Sequence, residues 1–324
     1  MSIRVQNTKI AELLRRISNL YAVEFQMVSR QSGSAKTLED LNRRKTSYFQ
    51  AAQNVAEWPR KITPDLKIRV IPGVGKSTVE DIKQYLKTGE IIRLQELESE
   101  FGDVQNAMKV FTEIGGVGPK KAFDLVGSGY YTISDIPEAQ QTTAMKLSIK
   151  HLASGVGRIP RKFIRNIQKT INLDCQWDIT GSYRRGEPTS GDIDILIAGC
   201  TMETALKSLN WLIRDVIASG EKVTNGYTQE GYRVDIKIVP EESYWFALLH
   251  YTGSGSFNLK LRKHAKTLGL KLNEYGLYAK ADKTHKFPSV WIPAEEFIFS
   301  ALSLDYVAPV DRGSQAVLKI LPDY

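Results

Sequence analysis

The sequence predicts an α+β fold, with a helical N-terminal half followed by a β-sheet domain that has helices packed on it. Three observations predict it. Helical apolar spacing runs through the first 155 residues with almost no two-residue alternation. Short β-branched runs begin at about Gln176. A glycine-centred segment occurs twice, both times in the helical half.

Each element has its own signal. Ile10, Leu13, Leu14, Ile17, Leu20 and Tyr21 recur at helical spacing and predict a helix over about 7–30, broken by Gln31-Ser32-Gly33-Ser34. Leu38, Leu41, Tyr48, Ala52, Val55 and Ala56 predict a second helix, stopped at Trp58-Pro59. Runs at 177–180, 193–198, 233–239, 270–278 and 289–292 predict strands. Between them Leu206, Leu209, Leu212, Ile213 and Val216 predict a helix over 202–219.

Composition bounds the function. With 324 residues, 42% hydrophobic and 25% charged, the chain is an ordinary globular one with room for two to four subdomains. Lys plus Arg exceed Asp plus Glu by 44 to 36, a net charge of +8, and the isoelectric point is near 9.2. That balance favours a polyanionic partner, whose phosphates release counterions on neutralisation. No apolar run approaches the ~18 residues of a membrane span, and the N-terminus lacks a signal-peptide core. The expectation is an intracellular protein that does not bind membranes. Two cysteines, Cys175 and Cys200, are too few for a disulfide framework or a cysteine zinc site.

The repeat pairs Ile71-Pro72-Gly73-Val74-Gly75-Lys76 with Ile114-Gly115-Gly116-Val117-Gly118-Pro119. Gly73 and Gly75, and likewise Gly116 and Gly118, permit a tight turn that exposes backbone N–H groups at a helix N-terminus. Such a turn meets a phosphate without reading bases, as helix-hairpin-helix units do on DNA. A plain turn between packed helices is the competing reading. Two copies in one basic chain, the second followed by Lys120 and Lys121, favour the DNA backbone.

The stretch with the most chemistry is Gly181-Ser182-Tyr183-Arg184-Arg185-Gly186, followed by Ser190-Gly191-Asp192-Ile193-Asp194. Asp192 and Asp194 open a strand at i and i+2, so both carboxylates point to one face. They repel unless a cation lies between them, and magnesium takes such oxygen ligands while sharing its remaining positions with phosphates. The Gly-Ser turn offers N–H groups and a hydroxyl to those phosphates, and Arg185 adds a guanidinium fork. Asp235 supplies a third carboxylate from a second strand pattern. Three such aspartates suit nucleotidyl transfer with two metal ions, a mechanism for which polymerases are a standard example.

With these segments in place the chain resembles the family X DNA polymerases from about residue 37 onward. The resemblance rests on Trp58-Pro59 with the first hairpin, the second hairpin, Arg158-Ile159-Pro160-Arg161, the Gly-Ser and Asp-x-Asp block and Arg233-x-Asp235. Further segments are Tyr251-Thr252-Gly253-Ser254, Phe257-Asn258, Arg262 and Asn273-Glu274-Tyr275. It implies a lyase-like helical domain with the first hairpin (1–97), a DNA-binding thumb with the second (98–157), a catalytic palm of nucleotidyltransferase type (158–241) and small α/β fingers for nucleotide selection (242–324). It implies a repair-type, DNA-directed DNA polymerase, monomeric, acting on gapped or nicked double-stranded DNA with dNTPs, in base-excision or end-joining repair. The alternatives are a weakly templated or template-independent terminal transferase and a non-catalytic DNA-binding scaffold. The scaffold reading would need one of the three aspartates to be missing.

Carried over by motif, Asp192, Asp194 and Asp235 hold two Mg2+ ions, replaceable by Mn2+. Arg158, Ser182, Arg185 and Gly191 hold the triphosphate, and Tyr251, Gly253 and Asn258 line the sugar and base. Arg262 reaches the template side, and Arg233 sits beside the primer phosphate. Carbonyls of Arg69, Ile71 and Val74, and of Thr112, Ile114 and Val117, hold Na+ or K+ at the hairpins. Arg44, Tyr48 and Arg93 suit a 5′-phosphate. The lysine nucleophile of 5′-deoxyribose-phosphate lyase chemistry corresponds to Asp81, and a supporting lysine to Ser77, so that activity is doubtful here. Lys237 replaces an arginine that helps govern Asp235, His250 replaces the first of two adjacent aromatics, and Gly255 replaces an acidic residue. No phosphoesterase-like domain is appended, which points to a nuclear or viral form.

Overall fold

The computed structural model describes residues 3–63, 68–279, 294–313 and 316–321, with side chains from residue 7 onward. The chain forms two compact units, Met1–Gln140 and Gln141–Tyr324. The strand expected over 289–292 lies outside the described residues.

The first unit is helical. Helices α1 (Ile3–Arg30) and α2 (Ala35–Glu57) pack through Ile10, Leu14, Ile17, Leu20, Leu41, Ala52 and Val55, all buried. Ser34 caps α2 by accepting the Thr37 N–H, so the Gly-Ser break doubles as a start signal. Trp58 ends α2 as expected ahead of Pro59. The amide of Asn7 donates to the carbonyls of Trp58 and Arg60 at 3.1 and 2.8 Å, tying that exit to α1. Helices α3 (Lys76–Thr88), α4 (Ile92–Thr112) and α5 (Pro119–Gly127) complete the unit.

The second unit is built on a five-stranded sheet. Ahead of it come α6 (Thr143–Ala153), the short strand β1 (Ile159–Pro160) and α7 (Arg161–Thr170). Then follow β2 (Gln176–Ile179), α8 (Gly181–Arg184), β3 (Thr189–Ser190), β4 (Ile193–Ala198), α9 (Met202–Leu209), β5 (Asp215–Ser219), β6 (Val223–Tyr227) and β7 (Arg233–Val239). The sheet order is β2-β4-β7-β6-β5, with β4 and β7 parallel and the other neighbours antiparallel. Ile193, Ile195, Ile197, Val234 and Ile236 bury one face against Ile164 and Ile167 of α7 and Ala205 and Leu209 of α9. Leu196, Ala198 and Val239 bury part of the other face against α10 (Tyr244–Thr252). Cys175 and Cys200 form one disulfide.

The helix expected over 202–219 is corrected: it ends at Leu209, and residues 215–219 form β5. Leu212 and Ile213 are buried, but in a turn where the Leu212 N–H reaches the Leu209 carbonyl. That turn imitates helical spacing. β5 is an edge strand with mostly exposed side chains, so it carries no alternation to read. Its partner β6 was not expected at all, and Gly226 lets the two strands meet, since a Cβ there would lie 2.6 Å from the Asp215 carbonyl. The run at 270–278 is a hairpin, β8 (Leu270–Asn273) and β9 (Gly276–Ala279), turned by the Asn273 side chain accepting the N–H groups of Tyr275 and Gly276.

Helix α11 (Gly255–Thr267), this hairpin and α12 (Glu296–Ala301) share a second core of Phe257, Leu261, Leu272, Leu277, Ile298 and Phe299. Inside it Arg312 is fully buried. Its guanidinium donates to both carboxylate oxygens of Glu295, at 2.7 and 2.9 Å, and to the Val307 carbonyl at 2.8 Å. Arg184 of α8 reaches the same carboxylate at 3.1 and 3.2 Å. Burial alone would raise the Glu295 acid, but Arg312 and Arg184 hold it below the usual carboxylate range. Removing one member of such a group leaves buried charge uncompensated. Glu295→Ala is therefore expected to destabilise the second unit by roughly 3–5 kcal/mol in chemical denaturation, and an unchanged midpoint would refute this.

Candidate active site and nucleic-acid interface

Parallel pairing of β4 and β7 places Asp194 directly beside Asp235, and Asp192 lies one residue before β4. Alternation along both strands turns these side chains away from Ile193, Ile195 and Ile236, onto the face that also carries Leu196 and Lys237. One oxygen from each carboxylate lies within 4.8 Å of the others. The Asp192 carboxyl is pushed up to about 6, by burial first and then by the charges of Asp194 and Asp235. Asp235, buried, accepts from Asn225 of β6 at 2.6 Å and from Arg233 at 3.1 and 3.2 Å. Asp194 accepts from Lys237 at 2.6 Å. Lys237, which stands in place of an arginine that helps govern Asp235 in the family it resembles, serves Asp194 here, because the β4–β7 register sets it one strand across and two residues along. Three crowded, all-oxygen, anionic donors fit a hard divalent cation.

The Gly-Ser turn is held against this cluster. Gly181 has a φ of +61°, and a Cβ there would lie 2.5 Å from an Asp194 carboxylate oxygen, so only glycine fits. Ser182 Oγ donates to Ser190 Oγ at 2.9 Å, and Arg158 donates to the hydroxyl and carbonyl of Thr189 at 2.9 and 3.0 Å, alongside Gly191. Arg185 donates to the Thr252 carbonyl at 2.7 Å and borders Gly253. Tyr251 lies with its ring 4.9 Å from the Lys237 ammonium. Arg158, Ser182, Arg185, Gly191, Tyr251 and Gly253 therefore connect to the carboxylates through a short series of contacts. Asn258 and Arg262 sit one step further out, the first donating to the His250 carbonyl at 2.7 Å and the second to His250 Nδ1 at 2.8 Å. Burial, followed by the Arg262 and Lys237 charges, lowers the His250 acid, although Glu274 opposes this. A neutral His250 is the acceptor that Arg262 needs.

Sequence reasoning missed Asn225, Glu295, Arg312 and the structural use of Arg184. Asn225 had a faint signal in the Val223-Asn225-Tyr227 alternation. Glu295 and Arg312 had none, since nothing local marks a charged pair as buried.

In the first unit Gly73 and Gly116 adopt left-handed backbone, at φ +74° and +79°, where glycine is needed. Gly75 and Gly118 have ordinary φ and cap α3 and α5 without any side-chain hydrogen bond. A Cβ on either would meet nothing within 4 Å. Both helix starts thus present backbone N–H groups to solvent, with exposed Lys120 beside the second and half-buried Lys121 next to it. The carbonyls of Ile71 and Ile114 each accept one N–H, from Val74 and Val117, and keep a second lone pair. Arg69 lies in the short turn before the first hairpin, and Thr112 is the last residue of α4.

Elsewhere in that unit Arg93 and Tyr48 converge on Asp81, which is only 4% exposed. Arg93 Nε donates to the carboxylate at 3.2 Å, and the Tyr48 hydroxyl hydrogen-bonds it. Tyr21 joins the group through its hydroxyl to Arg93 and its ring beneath Arg44, whose guanidinium also pairs with Asp40 at 2.7 Å. Burial and the Asp81 contact both raise the Tyr48 hydroxyl acid.

The raised Asp192 acid yields a stability test on metal-free protein. A carboxyl whose folded value of about 6 lies above its ordinary 3.8 supports folding below pH 4 and loses that support as pH rises through 6. Asp192→Asn should therefore melt ~2–4 °C above wild type at neutral pH for each kcal/mol relieved. The difference should shrink as the pH is lowered, and a pH-independent difference would contradict the assignment.

Comparison with known proteins agrees with this geometry. A family model described as "DNA polymerase beta palm" matches residues 158–231, and one described as "DNA polymerase beta thumb" matches 247–313. The second name falls on the segment expected above as fingers. DNA polymerase lambda of Arabidopsis thaliana is 26% identical over 314 residues, covering 84% of this chain and 58% of that protein. DNA polymerase lambda of Rattus norvegicus is 26% identical over 303 residues, covering 83% and 52%. The DNA polymerase/3'-5' exonuclease PolX of Bacillus subtilis (strain 168) is 27% identical over 296 residues, covering 83% and 50%. The chain spans about half the length of these relatives. The palm sheet with its three aspartates, both family matches and the three relatives agree in one likeness: the chain is similar to family X DNA polymerases.

Proposed function

We propose that the chain is a gap-filling, DNA-directed DNA polymerase of the repair type, adding dNTPs to a primer 3′-hydroxyl. The observation that carries this reading is the convergence of Asp192, Asp194 and Asp235 beside the glycine turn at Gly181. Two Mg2+ ions held by these carboxylates would supply charge stabilisation at the phosphoryl oxygens and acidify the attacking hydroxyl. Asp235, fixed by Asn225 and Arg233, positions that hydroxyl and takes up its proton. The primer oxygen bonds to the α-phosphorus and pyrophosphate leaves. Arg158 and Arg185 carry the triphosphate, since their hydrogen bonds to Thr189 and Thr252 fix each guanidinium while leaving donors unused, and Ser182 joins them by turning its one O–H from Ser190 to a phosphate oxygen. Lys237 competes with cations for the Asp194 carboxylate. Tyr251, Gly253 and Asn258 line the sugar and base, and Arg262 and Arg233 meet template and primer.

The partner in this reading is gapped or nicked duplex DNA, bound by backbone contact at Gly73, Gly75, Gly116 and Gly118 with Lys120 and Lys121. The open space over Gly75 and Gly118 supports such contact. Na+ or K+ would bridge the hairpin carbonyls to phosphate. Primer extension on a one-nucleotide gap tests the activity: Asp235→Ala is expected to cut insertion about 10²–10⁴-fold while DNA binding holds. Near-normal turnover in that variant, or untemplated addition to single strands at the wild-type rate, would overturn the reading.

The first unit would hold a 5′-phosphate through Arg44, Tyr48 and Arg93 without efficient lyase chemistry. A carboxylate occupies the place of the amine: Asp81 is buried, bonded to Tyr48 and paired with Arg93. Lys76 and Lys83 are exposed, and Lys83 is about 200° around the helix from Asp81. Borohydride trapping on an incised abasic duplex should give little covalent adduct. Efficient capture, with the modified lysine mapped, would reverse this proposal.

A further inference from the structure

Helix α7 has the sequence RKFIRNIQKT and contains no acidic residue. Its inner face is settled by burial: Ile164 and Ile167 enter the palm core, and Phe163 packs edge-on to Tyr232 with centroids 4.9 Å apart. Arg161 is also committed, donating to the Tyr183 carbonyl at 2.5 Å with its guanidinium over the Tyr183 ring. Gln168 accepts from the Tyr183 hydroxyl at 2.6 Å. The outer face carries Lys162, Arg165 and Lys169, at steps of three and four, so they lie in one row. All three are exposed, and none has an acidic partner among the described residues.

Where this row sits decides what it can meet. α7 covers the sheet face formed by Ile193, Ile195, Val234 and Ile236, whereas Asp194 and Asp235 point from the opposite face. A sheet and a helix about 10 Å across separate the row from the carboxylates. A primer terminus held at the carboxylates therefore leaves the row free. Three cations span about 10 Å along the helix, close to the axial run of four successive phosphates on one strand at about 3.4 Å per step. Single strands are gripped by cations interleaved with aromatic platforms. α7 offers none facing outward, because its one aromatic is the packed Phe163.

We propose that the outer face of α7 is a second polyanion surface that takes the phosphate backbone of a separate DNA duplex, independently of the duplex at the carboxylates. It rests on the proposed function only in taking DNA as the partner. The test uses the full chain saturated with a short gapped duplex and adds a labelled blunt duplex of about 20 base pairs in about 50 mM salt, because three phosphate contacts give weak, salt-sensitive binding. Wild type should capture the labelled duplex with a log–log salt slope of about −2.7. A variant with Lys162→Ala, Arg165→Ala and Lys169→Ala should lose that capture at least tenfold. Its melting temperature should stay within a degree or two of wild type and its primer extension on the short substrate within twofold, and Lys162→Arg with Lys169→Arg should keep capture at the wild-type level. No capture by wild type, capture by the triple variant at the wild-type level, or equal displacement by an oligo-dT of the same length would overturn the proposal. A chain that captures the second duplex yet extends no primer would instead sink the polymerase reading and leave this one standing.

Discussion

Three carboxylates with oxygens within 4.8 Å of one another, two on parallel strands and one just ahead of β4, form the constraint around which the second unit is arranged. Such crowding is unfavourable in a partly buried setting unless positive charge is close. The palm supplies it from its own strands. Lys237 faces Asp194 across the β4–β7 register, and Arg233 turns back on Asp235 two residues along the same strand. Asp192 has no cation in direct contact among the described residues, and burial together with its two carboxylate neighbours pushes its acid upward. The cluster thus has the donor set of a divalent-cation site, with Lys237 and Arg233 already paired to two of its carboxylates.

The glycine turn belongs to the same constraint. Gly181 is pressed against Asp194 so closely that a methyl group would collide with the carboxylate, which fixes α8 at the end of the sheet that carries the aspartates. From there α8 extends Arg184 and Arg185 into the C-terminal subdomain, to Glu295, Thr252 and the Thr252 carbonyl. Glu295 in turn anchors the fully buried Arg312, which is packed among Phe257, Phe299 and Tyr306. Groups expected to bind phosphates and groups expected to select the nucleotide are therefore joined through one buried ionic centre. A buried ion pair adds little net stability against an apolar replacement. Its value here is positional, since each charge has one arrangement that leaves no partner unmet.

The first unit is organised around a buried carboxylate of its own. Asp81 draws Tyr48 and Arg93 into a closed network with Tyr21, while Arg44 is shared between Tyr21 and Asp40. The hairpins behave differently. Gly73 and Gly116 are required by left-handed backbone, but Gly75 and Gly118 have ordinary backbone and open space above them. Their conformation does not call for glycine, and the space above them leaves the backbone open to close approach.

The sequence by itself determined the class of the fold, the helices of the first unit, strands β4 and β7, both hairpins and the three aspartates. Each of these is written in local spacing: apolar periods of 3.6 or 2, paired glycines, or carboxylates two residues apart on a strand. It misread residues 202–219, where a turn places Leu212 and Ile213 in the core at helical intervals and an edge strand follows with no buried face. Only the tertiary structure decided that Lys237 serves Asp194, that Asn225 steadies Asp235, that His250 receives Arg262, and that Glu295 and Arg312 are buried together. These pairings depend on strand register and on contacts between residues up to 111 positions apart. A charged residue looks the same in sequence whether it ends in water or in a core, so the decision falls to the partner that folding brings to it.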